Sequence, residues 1–238
     1  MYSNYIFDLY GTLVDIKTNE NSKILWEKLA LFYSFNGASY DAKSLKTSYK
    51  NKVTEIQLSI NNTDYPDFPI ETVFESLFKD KNVHVSLDML KATAQMFRVL
   101  SIKHLKLYDG VLDLLNLLKQ RKKKIFLLSN AQRIFTLYEM KILGIDKYFD
   151  GILFSSDCFV CKPDAKFYNK LLNEFNIDIN SSIMIGNDPI ADIEGSNYLG
   201  LDSLYIDSNL SPKITNELKS KYAIMNGDVH KIIDLIIS

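Results

Sequence analysis

The sequence predicts an α/β protein, a Rossmann-like doubly wound parallel sheet with a helical domain inserted after its first strand. Three observations carry this. Five short apolar runs each end abruptly in polar or small residues, helical patterns lie between the later runs, and about a hundred residues separate the first run from the second. Apolar runs of this length suit strands buried on both faces of a parallel sheet. Strands alternating with helices predict right-handed βαβ units. A gap that long exceeds what one crossover helix needs, so something is inserted there.

The first strand is read at Tyr5-Ile6-Phe7. After it, residues 26–35, 73–78 and 87–100 carry helical patterns while strand-like alternation is scarce. Residues 16–104 are therefore expected to form a helical cap, and residues 1–15 plus 105–238 the core, with hinges near Asp15 and near residues 106–110. Pro66 and Pro69, with Asn61-Asn62-Thr63-Asp64, mark a loop inside the insertion. Residues 111–119 place leucines at i, i+3 and i+4 and predict a helix. The basic run Arg121-Lys122-Lys123-Lys124 follows it as a solvated turn, where positive charge favours the helix dipole. Ile125-Phe126-Leu127-Leu128 is the second strand, residues 134–143 a helix, Ile152-Leu153-Phe154 the third strand and residues 166–175 a helix. Ile183-Met184-Ile185 and Leu204-Tyr205-Ile206 are the last two strands.

With Lys+Arg 28 against Asp+Glu 29 in 238 residues, the net charge of −1 argues against nucleic-acid and anionic-membrane partners. Hydrophobic residues at 47% and charged residues at 24% are the mix of a soluble globular protein. The opening residues lack the features of a signal peptide, and no apolar run approaches the ~20 residues that span a bilayer, so a cytoplasmic protein is expected. Cys158 and Cys161 are too few for a disulfide framework and are read as incidental thiols. His84, His104 and His230 have no metal-ligand spacing, so zinc is not expected.

In an open α/β sheet, ligands bind beyond the carboxyl ends of the strands. The residues there form a set: Asp8 after the first strand, Ser129-Asn130 after the second, Ser155-Ser156 and then Lys162 after the third, Asn187-Asp188 with Asp192 after the fourth. A carboxylate, hydroxyl donors, a lysine and further acids could supply a nucleophile, anion-binding donors and a hard-metal site.

These residues carry a resemblance. The run from Phe7 through Asp8, Tyr10, Gly11 and Thr12 to Asp15 resembles the first motif of the haloacid dehalogenase-like hydrolases. Leu127-Leu128-Ser129-Asn130 resembles the second motif, Lys162-Pro163-Asp164 the third, and Ile185-Gly186-Asn187-Asp188 to Asp192 the fourth. The long insertion resembles the cap that many members carry. The resemblance implies that Asp8 is the nucleophile of a covalent aspartyl intermediate and that Thr12 and Ser129 hydrogen-bond the substrate anion. It implies that Lys162 neutralises charge on Asp8 and the substrate, that Asn130 of the second motif and Tyr10 of the first stand among the catalytic residues, and that a helix start after Gly11 adds N–H donors. By the same resemblance Mg²⁺ would be held by Asp8, the Tyr10 carbonyl and Asp188, with Asp192 behind them or acting through water.

Tyr10 departs from the phosphatase pattern, which has there an aspartic acid that protonates the leaving group. Loss of such an acid typically costs 10²- to 10⁴-fold. The form with Tyr is similar to that of 2-haloacid dehalogenases, whose halide needs no proton. Those enzymes use a cap arginine near the start of the insertion, whereas the arginines here are Arg98, Arg121 and Arg133. The acidic fourth motif also resembles the metal-binding form. The expectation is a Mg²⁺-dependent phosphatase of a small phosphorylated metabolite, slow on alkyl phosphates. The alternatives are a metal-independent 2-haloacid dehalogenase or a catalytically impaired ligand- or partner-binding protein of this fold. Tyr33, Tyr40 and Tyr49 are candidates for the cleft, although their spacing favours the insertion's own core.

Overall fold

The computed structural model describes residues 2–236. Six parallel strands make the main sheet: β1 (Asn4–Phe7), β4 (Lys124–Ser129), β5 (Gly151–Phe154), β6 (Ser182–Gly186), β7 (Asp202–Ile206) and β8 (Tyr222–Ile224). Their order is β5-β4-β1-β6-β7-β8, so β1 lies between β4 and β6 at the point where the chain reverses its direction across the sheet. A switch of this kind opens a crevice at the strand's carboxyl end, and Asp8 stands there.

Alternation along the strands builds two layers. Tyr5, Phe7, Ile125, Leu127, Ile183 and Ile185 face one side, where they pack with α5 (Val111–Gln120) and α10 (His230–Ile236). Ile6, Phe126, Leu128 and Met184 face the other, against Phe167, Tyr168 and Leu171 of α8 (Ala165–Glu174). Burial on both faces is why these strands read as unbroken apolar runs.

The insertion holds four helices, α1 (Lys23–Phe35), α2 (Ala42–Ser59), α3 (Glu71–Lys79) and α4 (Leu87–Ser101). Its core is aromatic: Trp26, Tyr33, Tyr49, Phe74, Phe78 and Phe97 are buried together. Tyr33 and Tyr40 donate their hydroxyls to the Phe74 and Leu77 carbonyls, which places all three candidate cleft tyrosines in or against this core. Phe135, from α6 (Arg133–Ile142) of the sheet domain, is buried in the same cluster and stacks on Phe97 at 6.2 Å, so α6 is the seat of the insertion.

Several elements have no counterpart in the sequence reading, among them β8 and α10. The insertion enters and leaves through an antiparallel ribbon, β2 (Val14–Thr18) with β3 (Ile102–Leu107), which occupies both expected hinges. Helix α2 buries only Leu45 and Tyr49 along its length, too thin a stripe to stand out as periodic. It is started instead by Asp41, whose carboxylate accepts from the Lys43 and Ser44 N–H groups. The short helices α7 (Ser155–Cys158) and α9 (Gly195–Tyr198) complete the fold, α9 following a π-type turn at Pro189–Glu194. No helix of the described residues is long and apolar enough to cross a membrane.

Candidate active site

Asp8, Tyr10, Ser129, Asn130, Lys162, Asp188 and Asp192 line one cavity of about 170 Å³ at the switch point, together with Leu210 and Pro212. Its centre is a buried charge cluster. Lys162 Nζ donates to Asp8 Oδ1 at 2.7 Å and to Asp192 Oδ1 at 2.7 Å, with the lysine and Asp192 side chains each 1% exposed. Burial alone would lower the Lys162 pKa, but the Asp192 and Asp8 carboxylates more than offset it and hold the ammonium up at about 12. Burial pushes the Asp192 carboxyl up, and the like charge of Asp8 adds to this against the opposing pull of Lys162.

The polypeptide fixes each member. Asn130 clamps the backbone of Lys162, accepting from its N–H at 2.8 Å and donating to its carbonyl at 3.0 Å. The second-motif asparagine therefore orients the lysine and does not face substrate with its amide. Asp192 Oδ2 accepts the Asp188 N–H at 2.9 Å, so both Asp192 oxygens are engaged within the protein. Gly186 permits this approach: a Cβ there would lie 2.2 Å from the Asp192 carboxyl carbon. Asp188 Oδ1 caps the following turn through the Ile190 and Ala191 N–H groups, both at 2.9 Å.

Two expectations are corrected at the first motif. No helix begins after Gly11. The chain turns tightly into β2, the Gly11 N–H donates to the Val14 carbonyl, and the Thr12, Leu13 and Val14 N–H groups converge on the Leu9 carbonyl. Those N–H groups are thereby spent within the turn. Thr12 is buried and directs its hydroxyl to Asn187 Oδ1 at 3.2 Å, bracing the first motif against the fourth in place of meeting an anion. Gly11 has φ +86°, and a Cβ there would lie 2.3 Å from Asn187 Nδ2, so only glycine fits.

Tyr10 has partners that the sequence did not reveal. Its hydroxyl donates to Glu139 Oε2, lies 3.0 Å from Thr136 Oγ1 and accepts from Arg98 Nη2 at 3.4 Å. Arg98 Nε in turn donates to Glu139 Oε1 at 2.5 Å. Burial, the adjacent Glu139 charge and the hydrogen bond to it hold the phenol well above its usual range. The one sequence signal was an acid on the otherwise buried face of α6, between Phe135 and Met140.

A strap from the insertion is tied to the core next to Lys162. Asp67 accepts from Ser155 Oγ at 2.5 Å and from Gln132 Nε2 at 2.9 Å, and Gln132 also bonds the Phe68 carbonyl and the Ile70 N–H. The Tyr65 carbonyl accepts the Cys161 N–H next to Lys162, and Pro66 forms an antiparallel bridge with Val160. Both cysteines are free, and burial followed by the Asp67 charge pushes the Cys161 thiol up to about 12.

The donor set suits a hard cation. Asp8 Oδ2 and Asp188 Oδ2 receive no hydrogen bond from any described residue, and Asp8 and Asp192 share Lys162 while Asp188 has no ion pair with it. The described residues hold no cluster of three or more His, Cys, Asp or Glu side chains arranged for a metal. A set of two carboxylates and a backbone carbonyl, completed by water and substrate oxygens, is the ligation Mg²⁺ accepts.

Comparison with known proteins decides the family. A family model described as haloacid dehalogenase-like hydrolase matches residues 5–206. The chain belongs to the haloacid dehalogenase-like hydrolases. Among these hydrolases, the pyrimidine 5'-nucleotidase PynA of Streptococcus pneumoniae is 25% identical over 207 residues, 86% of this chain and 83% of that protein. The HAD-hydrolase YfnB of Bacillus subtilis is 22% identical over 236 residues, 94% and 96% of the two chains. A crystal structure of YfnB bound to magnesium has a TM-score of 0.58 at 19% identity, covering 100% of this chain and 99% of that one. The L-2-haloacid dehalogenase RSc1362 has a TM-score of 0.62 at 16% identity, covering 100% and 99%. Phosphatases and dehalogenases thus share this fold, and the reaction must be argued from the side chains.

Proposed function

We propose that this haloacid dehalogenase-like hydrolase is a Mg²⁺-dependent phosphatase of a small phosphorylated metabolite, with residues 16–104 as its cap and residues 1–15 plus 105–238 as its core. The observation that carries the reading is the excess of acid at the cavity, which is lined by Asp8, Asp188 and Asp192 and by the ammonium of Lys162, paired with Asp8 and Asp192 but not with Asp188. A dehalogenase needs a free cap cation above its nucleophile, and Arg98 is committed to Glu139. PynA, a nucleotidase by name, makes nucleoside monophosphates the first esters to try.

In this reading Asp8 Oδ2 attacks phosphorus, the bond to the leaving oxygen breaks, and an aspartyl phosphate forms. Lys162 orients Asp8 through Oδ1, and Ser129 and Lys162 meet the phosphoryl oxygens. Mg²⁺ held by Asp8, the Tyr10 carbonyl and Asp188 would supply charge neutralisation at the transferring group. Water then attacks phosphorus and releases Asp8. Tyr10, with its hydroxyl donated to Glu139, supplies no acid to the leaving group and no base to the water. Good leaving groups are therefore favoured, such as aryl or acyl phosphates and phosphoanhydrides, and loss of the acyl phosphate limits turnover.

The test is a panel of phosphate esters with and without Mg²⁺, run beside halide release from 2-haloacids, with Asp8→Asn as the blank. Mg²⁺-dependent phosphate release is expected. Halide release that resists chelation would overturn the reading.

A further inference from the structure

Three separate pieces of the chain meet at one hydroxyl. Tyr10 belongs to the nucleophile loop, Arg98 to α4 of the cap, and Glu139 and Thr136 to α6 of the core. The Arg98 and Glu139 side chains are 14% and 5% exposed, and the Arg98 guanidinium also lies 5.2 Å from the Phe135 ring and 5.9 Å from the Tyr10 ring. Apolar residues fill such a position at least as stably as an ion pair, so a buried pair needs another reason to be there. The reason on view is geometric. Glu139 accepts the phenolic hydrogen bond and Arg98 approaches the phenolic lone pair, which leaves the Tyr10 ring one orientation, as a wall of the Asp8 cavity.

We propose that Arg98 and Glu139 are positioning residues that act through the Tyr10 hydroxyl, fastening the cap helix α4 to the nucleophile loop. When α4 is seated, the residue two places after the nucleophile is held rigid. When α4 lifts, Tyr10 loses a partner and the loop slackens. Closure of the cap and order at the nucleophile are in this way one event. The kinetic readout rests on the phosphatase reading, and the exchange readout does not.

The experiment is a double-mutant cycle on Tyr10→Phe and Glu139→Gln, with Arg98→Met and Arg98→Lys alongside, each checked for native circular dichroism. With p-nitrophenyl phosphate, each single variant is expected to lose about tenfold in kcat with KM changed less than about twofold. The double variant should lose no more than the worse single one, as groups acting through one another do. Lysine at position 98 should restore little, because it lacks the fork that reaches Glu139 and Tyr10 together. Hydrogen exchange at residues 9–14 and 87–101 should quicken at least threefold in each single variant, and no further in the double. Losses that multiply in the cycle, or unchanged exchange in a folded Tyr10→Phe protein, would sink the proposal. If the unmodified protein cleaves no phosphate ester, the phosphatase reading fails, and the exchange data still decide for or against the fastening.

Discussion

Lys162 serves two carboxylates at once, and this makes it the most sensitive residue in the site. Lys162→Met leaves Asp8 and Asp192 buried without a counter-charge, a change that costs about 3–5 kcal/mol when a buried pair is broken. Chemical denaturation should show that loss, while Asp8→Asn, which keeps shape and a hydrogen-bonding group, should stay within about 1 kcal/mol of the parent and yet lose at least about 10³-fold in phosphate release. Gly186→Ala is a third case: its new Cβ would displace the Asp192 carboxyl, so activity should fall without any change to a group that meets substrate. At this scale the sequence placed Asp8, Ser129, Lys162 and Asp188 in one cavity because each follows an apolar run, and parallel strands bring their ends together. It did not reveal the orientations of Thr12, Asn130 and Tyr10. Their partners, Asn187, the Lys162 backbone and Glu139, lie from 32 to 175 positions away, beyond the reach of local pattern.

Elements with a two-sided or strongly one-sided burial pattern were legible: strands β1, β4, β5, β6 and β7 and helices α1, α3, α4, α5, α6 and α8 fall where apolar periodicity puts them. The strand β8, three residues long at the sheet edge, and the ribbon β2–β3 are too short or too exposed to leave such a pattern. The proline-marked loop at residues 61–70 was legible as a loop but not as a strap, since Asp67, Ser155 and Gln132 are brought together only by the packing of the insertion on the core. Asp67→Ala removes the acceptor for both donors and should cost about 1–3 kcal/mol. Limited proteolysis should then cut first near residues 61–66, and an undisturbed cleavage pattern would show that the strap carries little of the cap's attachment.

The whole molecule carries its titratable stress on the alkaline side. Burial raises the Tyr5 and Tyr40 phenols to about 12 and those of Tyr33 and Tyr49 beyond that range, while Lys162 is held at about 12 by its carboxylates against the opposing effect of burial. Above pH 10 the unfolded chain releases protons that the fold retains, so the folded state binds more protons and stability falls as pH rises. The Lys162 contribution has the same sign, being complete below its ordinary value and lost as pH passes about 12. The thermal midpoint should therefore drop between pH 9 and 11 by more than about 5 °C. A flat profile would mean that the phenols ionise within the fold.

The ribbon also sets how this protein can be rebuilt. Thr18 pairs with Ile102, so the backbone leaves the core and returns to it at neighbouring, hydrogen-bonded positions. Everything between them is, in topological terms, a cartridge: a short reverse turn could join the two strands, and the parallel sheet would lose none of its own pairing, because no residue of the insertion contributes to it. What removal would uncover is Phe135 on α6, now sunk in the aromatic cluster of the insertion. A different module grafted onto the ribbon has to bring its own apolar cover for that ring and an acceptor or donor for the Tyr10 hydroxyl. The insertion would then be exchanged as a unit while Asp8 stays where the sheet puts it.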